Sequence, residues 1–106
     1  MNIEVGKNYM IRGDYSTLDS IKSKLKSHGF KVIDDYKNVI NREYIRFDKA
    51  TAIIIHDFGK LNLIELQGVM KLVESRNAKL TIIGVGEGAW FDNLDLENFG
   101  KIELIG

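Results

Sequence analysis

Near the middle of the chain, residues 51–55 form an unbroken run, Thr51-Ala52-Ile53-Ile54-Ile55. Most of these residues are β-branched, and polar and apolar residues do not alternate along the run. A strand that faces water on one side shows that alternation, whereas a strand buried on both faces does not. The run therefore predicts a central strand of a parallel sheet that is covered by helices on both faces.

Further strands are predicted on either side of this run. Short apolar segments bounded by glycine or polar residues indicate strands over residues 7–12, 30–33, 80–83 and 102–105.

Helical patterns separate the strands. Residues 18–28 carry apolar side chains at helical spacing, Gly29 follows as a stop signal, and Ser16 or Thr17 is placed to cap the first turn. A second helix is predicted from residue 63 onwards, because Asn62 and Glu65 have the spacing of a capping box.

Three remaining segments complete the order of elements. The glycine-rich residues 84–88 predict a loop, residues 90–96 a short last helix, and residues 36–49 a short helix or an irregular insertion. Because strands and helices alternate, we expect an α/β fold. It would be one compact domain over residues 1–106, with a mostly parallel central sheet of four to five strands flanked by helices.

Composition excludes several classes of protein. The chain has 106 residues, which suits one domain, and contains no cysteine, so a disulfide framework or a thiolate metal site is excluded. It shows no leader-like segment and no apolar run long enough to cross a membrane, so we expect a cytoplasmic protein. Abundant Ile, Lys and Asn are typical of an A+T-rich genome, such as that of a low-GC bacterium or its phage.

The net charge of zero, from 15 basic and 15 acidic side chains, argues against bulk electrostatic coating of nucleic acid. The charges are unevenly spread, with ten basic against seven acidic residues over 1–49. The densest basic group is Lys22, Lys24, Lys26 and Lys31, which is either a solvated helix face or a face that meets phosphate or an acidic partner.

The turn after the first predicted strand is the leading candidate site. Gly13 permits close approach of a ligand, Ser16 and Thr17 offer hydroxyls at a helix N-terminus, and Arg12 offers a fork for a phosphate. The alternative is an ordinary turn and helix cap.

Two other segments have chemical groups at strand ends. His56 and Asp57 follow the buried strand, but neighbours on an extended chain point to opposite faces, which favours a simple polar strand exit. Gly84, Gly86 and Gly88 would form a nucleotide-binding loop, although they lack the spacing of the dinucleotide fingerprint and no Walker lysine follows.

Catalytic and metal-binding patterns are missing from the sequence. Two histidines without cysteine give no zinc-ligand spacing, and no nucleophile elbow surrounds a serine. We therefore predict a protein that is not an enzyme and that uses no metal and no cofactor.

Several segments together resemble the BRCT domain, a module of DNA-repair and replication proteins that include bacterial NAD-dependent DNA ligases. The opening Gly6-Lys7 with Gly13, the junction Gly29-Phe30-Lys31-Val32 and the strand Thr51-Ala52-Ile53-Ile54 are similar to that family's motifs in order and spacing. Trp90, followed by Phe91-Asp92, is similar to the family's tryptophan segment. The likeness covers roughly residues 6–96.

The resemblance implies a binding module that holds a phosphate, on a peptide or a DNA end. In the family, a hydroxyl and a glycine after the first strand and a lysine on the second helix make this contact. Here Gly13 is kept, Arg12 stands in the hydroxyl position, and Lys60 precedes the second helix while Lys71 lies within it. The insertion at 36–49 and the terminal strand are additional to the elements of the family pattern.

We therefore expect a non-enzymatic BRCT-like module that recognises a protein partner or a phosphate-bearing DNA end. Its contacts would come from Arg12, Gly13, Ser16, Thr17 and Lys60. Self-association as a homodimer stays open, and no membrane partner is expected. The alternatives are a small nucleotide-binding α/β protein and a phage-type interaction or inhibitor protein.

Overall fold

The computed structural model describes residues 2–40, 47–88, 91 and 99–103. The strands are β1 (Asn8–Arg12), β2 (Lys31–Ile33), β3 (Thr51–His56), β4 (Leu80–Gly86) and β5 (Phe99–Glu103). The helices are α1 (Leu18–Ser27), α2 (Tyr36–Ile40) and α3 (Leu63–Glu74), with short 3-10 turns over Tyr15–Thr17 and Phe58–Lys60.

The five strands form one sheet in the order β2-β3-β4-β1-β5. Every pair of neighbours in it is parallel. This confirms the predicted α/β fold with a central parallel sheet. It also confirms the interpretation of residues 51–55, since β3 lies inside the sheet and all five of these residues are buried.

Each face of the sheet has its own hydrophobic core. Ile53 and Ile55 of β3 pack in one cluster with Val69 of α3. Ala52 and Ile54 of the same strand pack in a second cluster with residues of α1. Successive residues of a strand point to opposite faces, so α1 covers one face of the sheet and α3 the other.

This arrangement creates a crevice between β1 and β4. The chain leaves β1 towards the face covered by α1, whereas Phe91, which follows β4, packs in the cluster of the opposite face. Neighbouring strands whose connections leave to opposite faces open a crevice at their carboxyl ends, and ligands of doubly wound sheets bind there. In this chain the crevice lies where β1 and β4 end, beside the end of β3.

The prediction of a loop over residues 84–88 is wrong for its first half. Strand β4 continues to Gly86, and Met10, Ile11 and Arg12 of β1 pair with residues 84–86. Gly84 is a glycine for a packing reason, because a Cβ there would lie 2.7 Å from a ring carbon of Phe58. The cause is a tertiary contact that the local sequence does not reveal.

The start of α1 also differs from the prediction that Ser16 or Thr17 caps it. A 3-10 turn precedes the helix, and Asp14 is the residue whose side chain accepts a hydrogen bond from the Ser16 amide. Thr17 stands at the N-cap of α1 without a side-chain capping bond.

Other predicted boundaries are confirmed. Gly29 has a φ of +88° and ends α1, and Asn62 and Glu65 form a reciprocal capping box at α3. Within residues 36–49 the structure has helix α2, and residues 41–46 lie outside the described part. The predicted helix over 90–96 is described only at Phe91, which is helical, so Trp90 is not assessed. Strand β5 begins at Phe99, earlier than predicted.

Candidate functional site

A cleft of about 340 Å³ occupies the crevice at the carboxyl ends of the strands. Its lining comes from residues 13–15 after β1, from residues 56–60 at the end of β3, and from residues 85–87 at the end of β4. Of the five residues predicted to contact a phosphate or a partner, Gly13 and Lys60 line it, and so does Gly86 of the predicted nucleotide loop. Arg12, Ser16 and Thr17 are not part of the lining.

The polar side chains of the turn after β1 form hydrogen bonds with other groups of the same turn. The Asp14 carboxylate accepts from the Ser16 amide at 3.0 Å and also from the Ser16 hydroxyl. The Thr17 hydroxyl donates to the Asp14 carbonyl oxygen at 2.7 Å. These bonds to Ser16 lower the pKa of the Asp14 carboxyl below its ordinary value, so the carboxylate is the favoured form.

Gly13 is required by the packing of this turn. Its amide donates to the Gly86 carbonyl oxygen at 2.8 Å, which ties the end of β1 to the end of β4. A Cβ at Gly13 would collide with the Thr17 hydroxyl. The glycine therefore allows the close approach that shapes the cleft floor.

Arg12 lies on the other side of β1 from α1. Its neighbour Ile11 packs in the α1 cluster, so the Arg12 side chain points to the opposite face. There the guanidinium carbon lies 4.6 Å from the centroid of the Phe91 ring, and Lys101 Nζ lies 5.5 Å from the same ring. Cation–π contacts of this kind hold Arg12 away from the predicted phosphate position.

His56 and Asp57 both line the cleft, contrary to the prediction that they point apart. Asp57 has a φ of +55°, in the left-handed region, which turns the chain sharply at the end of β3. Nδ1 of His56 is buried, lies 3.6 Å from an Asp57 carboxylate oxygen, and has no hydrogen-bond partner within the described part of the chain. The Tyr15 ring meets the His56 ring edge-on, with centroids 6.0 Å apart.

A second depression of about 280 Å³ lies on the other side of Tyr15 and His56. Lys22 of α1 and Asp34 after β2 line it, and Lys22 Nζ donates to an Asp34 carboxylate oxygen at 2.6 Å. This bond lowers the pKa of the Asp34 carboxyl. The two depressions therefore share a wall made of Tyr15 and His56.

The charge of the cleft is mainly negative. Asp14, Asp57 and Glu87 place three carboxylates in its lining, against the ammonium group of Lys60. Such a cleft attracts a cationic group and disfavours an anion. Among the described residues, no group of three or more histidine, aspartate or glutamate side chains has the geometry to hold a metal ion.

The three glycines of the predicted nucleotide loop do not lie in one loop. Gly84 is buried inside β4, and the Gly86 carbonyl oxygen accepts the Gly13 amide. Gly88 has a φ of +90°, and a Cβ there would meet open space. The backbone amides of these residues therefore do not form a common phosphate cradle.

Seven residues that line the cleft were not among the predicted site residues: Asp14, Tyr15, His56, Asp57, Gly59, Val85 and Glu87. Of these, His56 and Asp57 were considered and set aside as a polar strand exit. A usable signal exists for them, because each follows or ends a predicted strand. The carboxyl ends of parallel strands meet at one edge of a sheet. Which strands are neighbours was not available from the sequence, and it determines which of these residues share a cleft.

Comparison with known proteins identifies no significantly similar protein. No helix among the described residues is long and apolar enough to cross a membrane. No family model matches the chain, and neither a curated protein nor a solved structure is significantly similar to it.

Proposed function

We propose that this protein is a non-enzymatic binding module that docks a partner protein at the carboxyl edge of its sheet. The observation that carries the proposal is Tyr15, whose side chain is 79% exposed at the rim of the acidic cleft. Tyrosine is enriched at protein interfaces, where its ring supplies contact area at low entropic cost.

Two large aliphatic residues add to this surface. Leu63 and Ile64, in the first turn of α3, are 70% and 77% exposed. The first turn of α3 lies at the same edge of the sheet as the cleft, because β3 leads into it. Exposed apolar side chains of this size are typical of interaction sites. The partner would cover them while one of its side chains enters the cleft.

The side chain that fits the cleft is a lysine or an arginine. Asp14, Asp57 and Glu87 offer carboxylates, and the Tyr15 ring offers a face for a cation. Charge-assisted hydrogen bonds to such a group contribute about 1.5–3 kcal/mol each.

The phosphate-bearing DNA end is the less favoured partner. The Asp14 carboxylate already accepts the Ser16 amide, where a phosphate would bind, and Arg12 contacts Phe91. The resemblance to BRCT domains over roughly residues 6–96, and with it a role in DNA replication or repair, stays a hypothesis from the sequence. An inhibitory protein of phage type would use the same docking edge.

Selection from a peptide library tests the proposal. Random peptides displayed on phage are selected on the immobilised protein and, in parallel, on the double variant Tyr15→Ser/Asp57→Asn. We expect the wild type to enrich peptides with Lys or Arg beside an apolar residue, and the double variant to lose that enrichment. The variant Gln67→Ala, at an exposed position of α3, is the matched control and keeps it.

Nuclear magnetic resonance then locates the contact. An enriched peptide, added to ¹⁵N-labelled protein, is expected to shift the amide signals of Gly13, Tyr15, Asp57 and Glu87. Equal enrichment by the double variant, or shifts elsewhere, would contradict the proposal. Tighter binding of a 5′-phosphorylated duplex than of its unphosphorylated form, with this preference abolished by Arg12→Ala, would instead support the hypothesis of a DNA-end partner.

A further inference from the structure

The opposite edge of the sheet, where the strands begin, carries a row of lysines. Lys31 starts β2, Lys49 precedes β3 by two residues, and Lys79 and Lys7 directly precede β4 and β1. These four strands are consecutive in the sheet. We call this side of the molecule the amino edge.

The register of the strands staggers the four lysines along the amino edge, because the pairing of Tyr9 with Ile83 sets Lys7 level with Thr81, two residues beyond Lys79. Lys31 pairs with Thr51, and Thr51 in turn pairs with Leu80, the residue after Lys79. Neighbouring strands lie about 4.8 Å apart, so the row crosses roughly 14 Å of the sheet edge. Each of the four strands therefore supplies one lysine to a staggered band of positive charge.

The ends of the long helices add to the amino edge. Lys24 and Lys26 lie in the last turn of α1, Lys71 lies in the last turn of α3, and Arg76 follows α3. Within the part of the chain that the structure describes, these turns and strand starts hold eight basic residues against three acidic ones, Glu4, Asp48 and Glu74. The neutral chain thus has a strongly basic side.

Much of this charge is uncompensated. Lys24, Lys26, Lys31, Lys49 and Arg76 are exposed, and within the described residues their side chains have no hydrogen bond or ion pair. Lys79 Nζ donates to the Asp48 carbonyl oxygen at 3.0 Å, and Lys7 contacts Glu4. Helix dipoles explain basic residues at helix ends, but they do not explain lysines at the starts of strands.

We propose that the amino edge binds the phosphate backbone of double-stranded nucleic acid without reading its sequence. A duplex presents one negative charge per about 1.7 Å of its axis, and a band of closely spaced basic side chains suits such a dense array. The amino edge has one large exposed apolar residue among those described, Val5 at 47%. A membrane surface or a protein interface would favour more apolar contact area.

This site is independent of the proposed docking edge. A protein with one edge for a partner and one for a nucleic-acid backbone would tether that partner to the duplex. Because the chain as a whole is neutral, the attraction is confined to the amino edge, and the duplex must meet the protein in that orientation.

Fluorescence anisotropy with a labelled 20-base-pair duplex of mixed sequence and 5′-hydroxyl ends tests the inference, from 50 to 200 mM NaCl. Contacts from the four lysines and from Arg76 predict a slope of log affinity against log salt of about −4.5. The double variant Lys31→Gln/Lys49→Gln should reduce that slope by about 1.8 and lower the affinity at least tenfold at 50 mM. Circular dichroism verifies that the variant is folded.

The control is Lys22→Gln/Lys37→Gln, which removes the same charge far from the amino edge and should change the affinity less than twofold. Equal losses in the two double variants would overturn the inference, as would an unchanged slope or no binding at 50 mM. Vesicles of phosphatidylcholine with phosphatidylserine form a second arm. Vesicle binding that depends on Lys31 and Lys49, without duplex binding, would also overturn it.

Discussion

The two edges of the sheet differ in almost every surface property. The carboxyl edge holds an acidic cleft, turns closed by their own hydrogen bonds, and the exposed side chains of Tyr15, Leu63 and Ile64. The amino edge holds a band of exposed basic residues, of which Lys31, Lys49 and Arg76 have no side-chain partner within the described part of the chain, and little apolar surface. The zero net charge of the chain is the sum of these two opposite regions, so net charge alone says little about what each edge binds.

Part of this difference follows from the fold itself. In a parallel sheet the helix N-termini gather at the carboxyl edge and favour acidic residues, while the C-termini favour basic ones. Glu65 in the first turn of α3 and Lys71 in its last turn fit that rule. Helix dipoles do not account for the lysines at strand starts or for the exposed Tyr15. These residues therefore support the two functional proposals.

The largest expected effect comes from overfilling the core beneath the carboxyl edge. Gly84→Ala places a methyl group 2.7 Å from Phe58 and 2.9 Å from the Met10 sulfur. We expect a loss of about 1–3 kcal/mol of unfolding free energy in urea denaturation. Because Phe58 starts the turn that carries Lys60, peptide binding at the cleft should weaken while duplex binding by the folded protein persists.

Gly100→Ala is the matched control for that variant. A Cβ at Gly100 would lie 3.4 Å from the Tyr9 ring, which is ordinary contact. Its unfolding free energy should stay within about 0.5 kcal/mol of the wild type. Equal stability of the two variants would mean that Gly84 is not required by packing.

A variant at the amino edge is expected to have an intermediate effect, raising the free energy of unfolding while weakening duplex binding. Arg76 has a φ of +50°, a left-handed conformation that glycine adopts more readily. Arg76→Gly should therefore stabilise the protein by about 0.5–1 kcal/mol. The same variant removes one charge and should reduce the salt slope of duplex binding by about 0.9.

The control Arg76→Lys keeps both the charge and the backbone conformation, so both measurements should remain near the wild type. Destabilisation by Arg76→Gly, or an unchanged salt slope, would argue that this end of α3 contributes neither backbone strain nor duplex contact.

The smallest effect concerns acid sensitivity at the carboxyl edge. The hydrogen bond from Lys22 lowers the pKa of Asp34 from its ordinary value of 3.8, so the pair stabilises the fold above that pH. The contribution disappears as the pH falls through the lower, folded-state pKa. Since the pair is exposed, about 0.5 kcal/mol is expected.

Urea unfolding of Lys22→Met and the wild type between pH 6 and pH 2 measures this contribution. The difference between them should shrink to zero at the acid end, whereas Lys31→Gln/Lys49→Gln should show no such trend. A difference for Lys22→Met that is constant with pH would refute the ion pair.

Local patterns were sufficient to predict much of the fold. The run at residues 51–55, the capping box at Asn62 and Glu65, and the stop at Gly29 are signals that neighbouring residues supply by themselves. Strand β4 beyond residue 83 was not predictable in this way, because glycine at position 84 is typical of a turn. The reason for the glycine is its packing against the Phe58 ring, which lies far from it in the sequence.

The candidate site was predicted only in part for a related reason. Gly13 and Lys60, two of the predicted contact residues, lie beside a cleft. The face on which Arg12 points depends on which neighbour packs against α1. The left-handed turn at Asp57, which brings it into the cleft with His56, has only a weak signature in residues 55–59, because aspartate adopts this backbone conformation more readily than most residues. Strand order, the decisive information, is a property of the whole chain.

The order of the strands also has a consequence for how the molecule assembles. Strands β2, β3 and β4 are neighbours in both chain and sheet, so they can pair soon after synthesis. Strand β1 precedes these three strands in the chain, but its sheet partners begin only at Ile83 in β4 and Phe99 in β5. Distant pairings form slowly because a long loop must close. During translation β1 is therefore expected to wait, with Met10 not yet covered by its sheet neighbours, until β4 and β5 have emerged from the ribosome.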